Sequence, residues 1–158
     1  MKLTEIINGE KLSLSFEVFP PKTNDKFENV KETTEQIALL KPSYMSVTYG
    51  AGGGTSEYTL KIADNLRQKG VPTLAHLSCV SSTKSEINQK LRDLHNAGIE
   101  NILALRGDMP KGMDVSHLEY HYASQLITEI VKFGGFCIGG ACYPEGHPES
   151  ENGFADIN

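Results

Sequence analysis

Five short apolar runs of this sequence each end beside side chains that can bind a ligand or transfer a proton. They end at Glu17, at Thr48, at His76, at the triplet 106–108 (Arg-Gly-Asp) and at the segment 143–147 (Tyr-Pro-Glu-Gly-His). Carboxyl and imidazole groups act as acids and bases near neutral pH, and a guanidinium group binds phosphate through paired hydrogen bonds. Whether these groups form one site depends on the elements that hold them.

Glu17 is the least expected of these side chains because it lies inside a strand-like stretch. Side chains of a strand alternate between two faces, so Phe16 and Val18 share one face and Glu17 shares the other with Ser15. The prolines at 20 and 21 end the strand, because proline cannot continue a ladder of hydrogen bonds. On its own the stretch is typical of an exposed edge strand with a solvated glutamate.

Helical patterns separate the apolar runs. Strands are predicted at residues 12–18, 44–48, 72–77, 101–105 and 136–142, and helices at 25–40, 56–70, 85–98 and 118–133. The apolar stripe of the first helix is predicted to run to Leu40, and Thr83 with Glu86 forms a capping box before the third helix. A strand recurs about every 30 residues, which predicts parallel strands connected by helices.

Two architectures have this alternation, an open doubly wound sheet and a (β/α)8 barrel. A doubly wound sheet gathers its ligand contacts at one switch point, whereas a barrel gathers them from all its strands around one mouth. Polar groups at the ends of all five strands favour the barrel, with Glu17 pointing into the mouth. A complete barrel has about 250 residues. The 158 residues are therefore expected to be one domain, 1–158, that covers about the first five strands of a TIM barrel.

The composition excludes several classes of function. The formal net charge is −5, so no nucleic-acid partner is expected, and no apolar run is long enough to cross a membrane. Residues 1–11 lack the apolar core of a signal peptide, so a cytoplasmic location is expected. The cysteines Cys79, Cys137 and Cys142 are predicted to be reduced and buried. Because cysteines and histidines lack zinc-site spacing, no metal is expected.

Two features of the sequence leave alternative interpretations open. The glycine-rich segment 49–56, YGAGGGTS, has neither the Gly-Lys-Ser/Thr of a P-loop nor the GxGxxG of a dinucleotide-binding turn. It is either a plain turn or a place where the backbone approaches a ligand closely. His76 follows the apolar stretch PTLA and is either a satisfied core residue or part of the site.

Six segments, taken in order, resemble the methylenetetrahydrofolate reductase family. They are SFEVFPPKT (15–23), SVTYGAGG (46–53), HLSC (76–79), LALRGD (103–108), HYAS (121–124) and YPEGHPES (143–150). As a set they are highly specific, although no single segment would suffice. The resemblance implies a (β/α)8 barrel that holds FAD at the mouth formed by the carboxyl ends of its strands, in agreement with the alternation of strands and helices.

The resemblance also implies a two-stage oxidoreduction. NADH or NADPH reduces FAD, and methylenetetrahydrofolate is then reduced to 5-methyltetrahydrofolate, a reaction of one-carbon and methionine metabolism. By position in their motifs, Glu17 is implied as the general acid and Asp108 as a catalytic residue near the flavin and the pterin ring. The residues implied to contact FAD are Thr48, His76, Arg106, Gly107, Asp108, Tyr122, Ala123, Ala141, Tyr143, His147 and Asp156.

The length of the chain leaves three hypotheses open. The family's later strands carry further flavin and folate contacts, so five strands are either the first part of a reductase or a catalytically incomplete half-barrel that serves as a structural or assembly unit. A different flavin- or phosphate-binding barrel enzyme is the third alternative, which the set of motifs disfavours. A homo-oligomer is expected, because open strand edges are templates for association.

Overall fold

The computed structural model describes residues 1–49, 56–109, 115–147 and 150–153. Within these ranges, strands β1 to β5 span Ser15–Val18, Tyr44–Val47, Thr73–Ser78, Asn101–Leu105 and Cys137–Gly140. Helices α1 to α5 span Leu3–Ile7, Phe27–Ala38, Ser56–Gln68, Lys84–Asn96 and Ala123–Phe133, and short 3₁₀ turns lie at Asn24–Lys26 and Val115–His117. Most of the glycine-rich segment, residues 50–55, and Asp156 lie outside the described residues.

The order of the strands decides between the two architectures. Each described strand pairs in parallel with its predecessor along the chain, in the order β1-β2-β3-β4-β5. A doubly wound sheet would reverse that order at its switch point. Because each right-handed crossover leads to the next strand on the same side of the previous one, all the connecting helices lie on one face of the sheet. Five parallel strands alternate with helices as in a partial (β/α)8 barrel, and the predicted fold class is confirmed.

Alternating side chains give the sheet a packed face and an inner face. The face that points away from the helices is called the inner face. It carries Glu17 on β1, Ser46 on β2, His76 on β3 and Leu103 on β4. It is more polar than the packed face, as expected where strands lead to a ligand-binding mouth. The packed face and the helices share one buried apolar cluster that includes Met45, Val47, Ile62, Leu66, Ala75, Leu77, Ile87, Leu91, Ile102 and Ala104.

Helix boundaries follow the predicted signals at α4 but not at α2. The N–H of Thr83 donates to Glu86 Oε2 at 2.7 Å, and the N–H of Glu86 donates to Thr83 Oγ1 at 3.2 Å, which confirms the capping box. The stripe predicted for the first helix is wrong at its end, because α2 stops before Leu40 and leaves it 67% exposed. Thr34 is buried instead, and its hydroxyl donates to a carbonyl one turn earlier at 2.6 Å.

Helix α1 is absent from the sequence prediction, and Asn101 at the start of β4 explains why it forms. Asn101 is 2% exposed. Its Oδ1 accepts from the Leu3 N–H at 2.8 Å, and its Nδ2 donates to the carbonyls of Met1 at 3.2 Å and Thr73 at 3.1 Å. The N-terminal amine also pairs with Glu100. A buried amide satisfied by three backbone groups fixes the N-terminal segment against the amino ends of β3 and β4.

Two predictions near the end of the chain need correction. Helix α5 begins later than predicted, directly after Tyr122, whose N–H donates to Gln125 Oε1 at 3.0 Å. Cys79 is buried as predicted, but Cys137 is only half-buried and Cys142 is exposed. Because β5 ends at residue 140, before Cys142, the strand cannot carry that side chain into the core.

Candidate active site

Glu17 lies on the inner face near the carboxyl end of β1, where two neighbours contact its carboxyl group. Ser46 Oγ donates a hydrogen bond to Glu17 Oε2 at 3.2 Å. His76 Nε2 lies 3.5 Å from the same oxygen. Glu17 and Ser46 are register partners on β1 and β2, and His76 reaches them from β3. Three strands therefore converge on one carboxyl group, although β1 is an edge of the described sheet and the Glu17 side chain is 47% exposed, as the alternative interpretation expected.

Burial lowers the pKa of His76 below its ordinary value of 6.5, and the charge of Glu17 opposes this effect only in part. The His76 side chain is 10% exposed, so a charged imidazolium there loses much of its hydration. Neutral His76 is therefore the main form near pH 7. One nitrogen of a neutral imidazole donates a hydrogen bond and the other accepts one. The contact with Glu17 is thus between a carboxyl group and a neutral ring.

The lowered pKa of His76 is expected to make folding stability depend on pH. Between the folded and unfolded pKa values the unfolded chain binds more protons, so stability rises with pH. The His76 contribution is complete above the unfolded pKa and is lost as the pH falls through the folded pKa. The free energy of unfolding, measured with urea at about pH 7.5 and about pH 5, should therefore fall less for His76→Gln than for the unsubstituted chain. An equal fall in both proteins would contradict this expectation.

The Arg-Gly-Asp segment after β4 packs against the loop that follows β3. The Arg106 carbonyl accepts hydrogen bonds from the N–H of Cys79 at 3.2 Å and from the N–H of Val80 at 2.8 Å. Gly107 has φ +87°, and a Cβ atom added there would lie 2.4 Å from Ser78 Oγ. Both the backbone conformation and the close approach favour glycine. The segment is therefore fixed relative to β3.

Cys79 connects this segment to the start of α5. Its Sγ lies 3.9 Å from the carbonyl oxygen of Arg106 and 4.0 Å from that of Tyr122. The side chain is fully buried, and burial raises the pKa of its thiol to about 11. Such a thiol stays protonated at neutral pH and is a poor nucleophile. Cys79 therefore packs between two loops of the site, and its surroundings do not activate its thiol as a nucleophile.

The other residues implied to contact FAD lie beyond the strand ends or at the start of α5. Thr48 follows β2, where its N–H donates to the Val18 carbonyl and its own carbonyl accepts from Thr59 Oγ1, both at 2.9 Å. After β5 the rings of Tyr143 and His147 meet edge to face, with centroids 4.8 Å apart. Asp108, Tyr122 and Ala141 are exposed, and Ala123 is half-buried.

The structure joins the predicted site residues into local groups at one end of the sheet. Glu17 contacts His76, Arg106 and Tyr122 share Cys79 as a neighbour, and Tyr143 contacts His147. Parallel strands bring all of these groups to the same edge of the sheet. Asp108 and Glu17 share no hydrogen bond or ion pair, so the convergence of the two residues implied as catalytic stays a prediction.

Sequence reasoning does not single out Ser46 or Cys79 as supports of the site. Ser46 has a usable signal, because it lies two residues before Thr48 on the same strand and hence on the same face. Cys79 has none, because its sulfur contacts backbone atoms of distant parts of the chain. In the part of the chain that the structure describes, no three histidine, cysteine, aspartate or glutamate residues are grouped as metal ligands. The same part contains no helix that is both long and apolar enough to span a membrane.

Parallel strands in sequential order, with an acid, an imidazole and an arginine at their carboxyl ends, define a (β/α)-barrel protein with a candidate active site at its mouth. A comparison of the sequence with protein-family models matches methylenetetrahydrofolate reductase over residues 2–158. The chain belongs to the methylenetetrahydrofolate reductase family.

Individual relatives support this membership along almost the whole chain. The 5,10-methylenetetrahydrofolate reductase of Escherichia coli K12 is 37% identical over 147 residues, which cover 92% of this chain and 49% of the relative. That of Buchnera aphidicola from Acyrthosiphon pisum is 40% identical over 157 residues, 99% of this chain and 52% of the relative. Methylenetetrahydrofolate reductase (NADH) 1 of Zea mays is 37% identical over 158 residues, 96% of this chain and 27% of the relative. The chain spans about half the length of the bacterial relatives it matches.

Proposed function

We propose that residues 1–158 form one domain, the first half of the catalytic barrel of a flavin-dependent methylenetetrahydrofolate reductase. The complete barrel would use FAD and NADH or NADPH to reduce 5,10-methylenetetrahydrofolate to 5-methyltetrahydrofolate, in the cytoplasm, as part of one-carbon and methionine metabolism. The observation that carries this proposal is the Glu17 carboxyl group, which Ser46 and His76 hold on the inner face. Barrel enzymes place their catalytic groups at this end of the strands.

The substrate and the product define what an acid at Glu17 has to do. The methylene carbon bridges two nitrogen atoms of the folate, and in the product it is a methyl group on only one of them. The bond to the other nitrogen must break, and that nitrogen leaves more readily once it is protonated. We propose that Glu17, in its acid form, donates this proton. Cleavage leaves an iminium group on the folate, which then accepts a hydride.

Asp108 has a different proposed role because it is exposed beyond the fixed Arg106-Gly107 backbone. A carboxylate beside the pterin ring stabilises the positive charge that develops as the iminium group forms. Its position just after β4 is one that a ligand in the mouth can reach. Glu17 would thus supply the proton and Asp108 the favourable charge.

The described residues at the mouth have the chemistry that FAD needs. Arg106 offers a guanidinium group to the pyrophosphate, and its backbone is fixed by the loop after β3. Tyr122 and Tyr143 are 61% and 49% exposed and offer aromatic surface to the planar rings of the cofactor. When bound, FAD would carry the hydride from the nicotinamide nucleotide to the folate. The other proposed contacts are Thr48, His76, Gly107, Asp108, Ala123, Ala141, His147 and Asp156.

A structural or assembly unit is the second candidate, and the open edges of the sheet favour it. Among the described strands, β1 pairs only with β2 and β5 only with β4. Leu12 and Leu14, just before β1, are 98% and 57% exposed. Unpaired edges and exposed apolar side chains favour association. The 158-residue polypeptide is therefore expected to form a homo-oligomer in either case.

Titration with FAD distinguishes the two candidates. A reductase domain with part of the cofactor site should bind FAD with low affinity. Binding should quench flavin fluorescence and shift the visible absorption band of FAD, and both changes should saturate. Arg106→Ala should weaken this binding about tenfold or more, because it removes a charge-assisted contact to phosphate. Light scattering on the same samples reports the oligomeric state.

The matched control is Arg92→Ala, because Arg92 is an exposed residue of α4 that bonds Gln89 on its own helix. It removes the same charge and should leave FAD binding unchanged. Saturable binding that Arg106→Ala weakens and Arg92→Ala does not supports the cofactor site. An oligomer that shows no saturable FAD binding would favour the structural unit.

A further inference from the structure

We propose that Ser46 and His76 are positioning residues that hold Glu17 Oε2 against the sheet, so that Oε1 is left to face the substrate. This inference rests on the proposed function, and it deepens it by giving roles to two neighbours of the acid. Both contacts go to the same oxygen, at 3.2 Å from Ser46 Oγ and 3.5 Å from His76 Nε2. The carboxyl group is thus oriented by one of its two oxygens.

Ser46 and His76 are more buried than Glu17, and this difference allows them to fix the orientation of the Glu17 carboxyl group. Ser46 is 7% exposed and His76 is 9% exposed, so neither can move far. The Glu17 side chain is 47% exposed, and a free side chain with this much access to water would sample several rotamers. Two buried, rigid neighbours therefore select one orientation for a group that is otherwise mobile.

Both neighbours can keep their contact when Glu17 changes its protonation state. A serine hydroxyl donates to a carboxylate and can also accept from a carboxylic acid. A neutral imidazole has the same property, because its two nitrogens differ in which one carries the proton. An acid that gives up its proton in each cycle keeps its orientation only if its neighbours accept both forms. Serine and neutral histidine meet this condition, whereas lysine or arginine would always favour the carboxylate.

The surroundings of His76 make it a reporter of where the Glu17 carboxyl group lies. On β4 its register partner is Leu103, and on β2 Ser46 lies on the same face of the sheet, so neither of these side chains titrates. Glu17 on β1 is the group whose charge raises the pKa of His76, against the larger effect of burial. If the carboxyl group moves away, this opposing contribution is lost.

The test is an NMR titration of the histidine rings in the 158-residue chain without any ligand. The chain has five histidines, and His76→Gln identifies the signal of His76 by its loss. Glu17→Gln should lower the titration midpoint of His76 measurably, because the carboxylate whose charge opposes the effect of burial is gone. Ser46→Ala should shift the midpoint in the same direction, because a carboxyl group without its donor swings toward water. Ser46→Thr, which keeps the hydroxyl, should restore most of the midpoint.

Ser15→Ala is the matched control, because Ser15 is an exposed serine on the same strand face as Glu17, two residues away. It should leave the His76 midpoint unchanged. A midpoint that Ser46→Ala does not move, or that Ser15→Ala moves equally, would overturn the positioning role of Ser46. A midpoint that Glu17→Gln does not move would overturn the contact with His76. Because this titration needs neither flavin nor folate, its outcome is separate from that of the FAD titration that tests the proposed function.

Discussion

Glu17→Gln is expected to slow the reduction of methylenetetrahydrofolate by at least about a hundredfold, the usual contribution of a general acid. The protein for this test carries the chain as the first half of a full-length barrel, fused to the second half of the Escherichia coli relative. Glutamine keeps the shape of the side chain and still accepts a hydrogen bond from Ser46, but it has no proton to donate. The reduction of flavin by NADH or NADPH needs no such proton and should keep its rate.

Rapid mixing separates the two half-reactions, because flavin absorbance falls in the first and returns in the second. Glu28→Gln is the control, since Glu28 is an exposed residue of α2 that pairs with Lys31. It makes the same chemical change and should leave both half-reactions unaffected. Equal damage to the two half-reactions by Glu17→Gln would rule out a dedicated acid and would indicate a general disturbance of the mouth.

The parts of the fold that the sequence predicts are those determined by nearby residues. The capping box at Thr83 and Glu86 needs residues three apart, and the stripe of Ile87, Leu91 and Leu94 needs only one helix. The alternation of strands and helices is also local, but it fits both a doubly wound sheet and a barrel, and the polar groups at the strand ends are what favour the barrel. Local patterns of this kind are legible without knowledge of the rest of the chain.

The parts that the sequence does not predict depend on residues far away along the chain. Helix α1 is held by Asn101, a residue of β4, and no pattern near the N-terminus predicts this contact. The end of α2 is a related case, because Leu40 lies beyond the helix although its spacing continues the stripe. A periodic pattern reports which residues could share a face, but not where the hydrogen bonds of the helix stop.

The candidate site divides in the same way. The pattern of polar groups at strand ends predicts Glu17 as a member of the candidate site, whereas for His76 it leaves a core role open and only the resemblance implies a place in the site. It does not predict that His76 Nε2 and Ser46 Oγ meet the same oxygen of Glu17, because that contact depends on the register of three strands. Register is a property of the folded sheet, and shifting it by one residue would turn each side chain to the other face.

Gly107→Ala is expected to lower the free energy of unfolding by about 2 to 4 kcal/mol, and it should also weaken FAD binding. Two effects add at this position. An alanine at φ +87° is strained by its own backbone, and its Cβ would lie 2.4 Å from Ser78 Oγ and 3.3 Å from Val80 Cγ1. The loop after β4 would have to move away from the loop after β3, and Arg106 and Asp108 would move with it.

Gly70→Ala separates these two effects, because Gly70 has φ +80° and no atom within 4 Å of an added Cβ. It should lower the free energy of unfolding by only about 1 to 2 kcal/mol, the backbone contribution alone, and leave FAD binding unchanged. Both glycine variants are also made in a Ser78→Ala background. Urea denaturation of all these proteins then measures how much the contact between residue 107 and the Ser78 hydroxyl contributes. Ser78→Ala should recover part of the loss caused by Gly107→Ala and none of that caused by Gly70→Ala, since only the former meets the Ser78 hydroxyl. If the two glycine variants were equally unstable, the close packing of the loops after β3 and β4 would contribute nothing beyond the backbone conformation, and the fixed position inferred for Arg106 would be wrong.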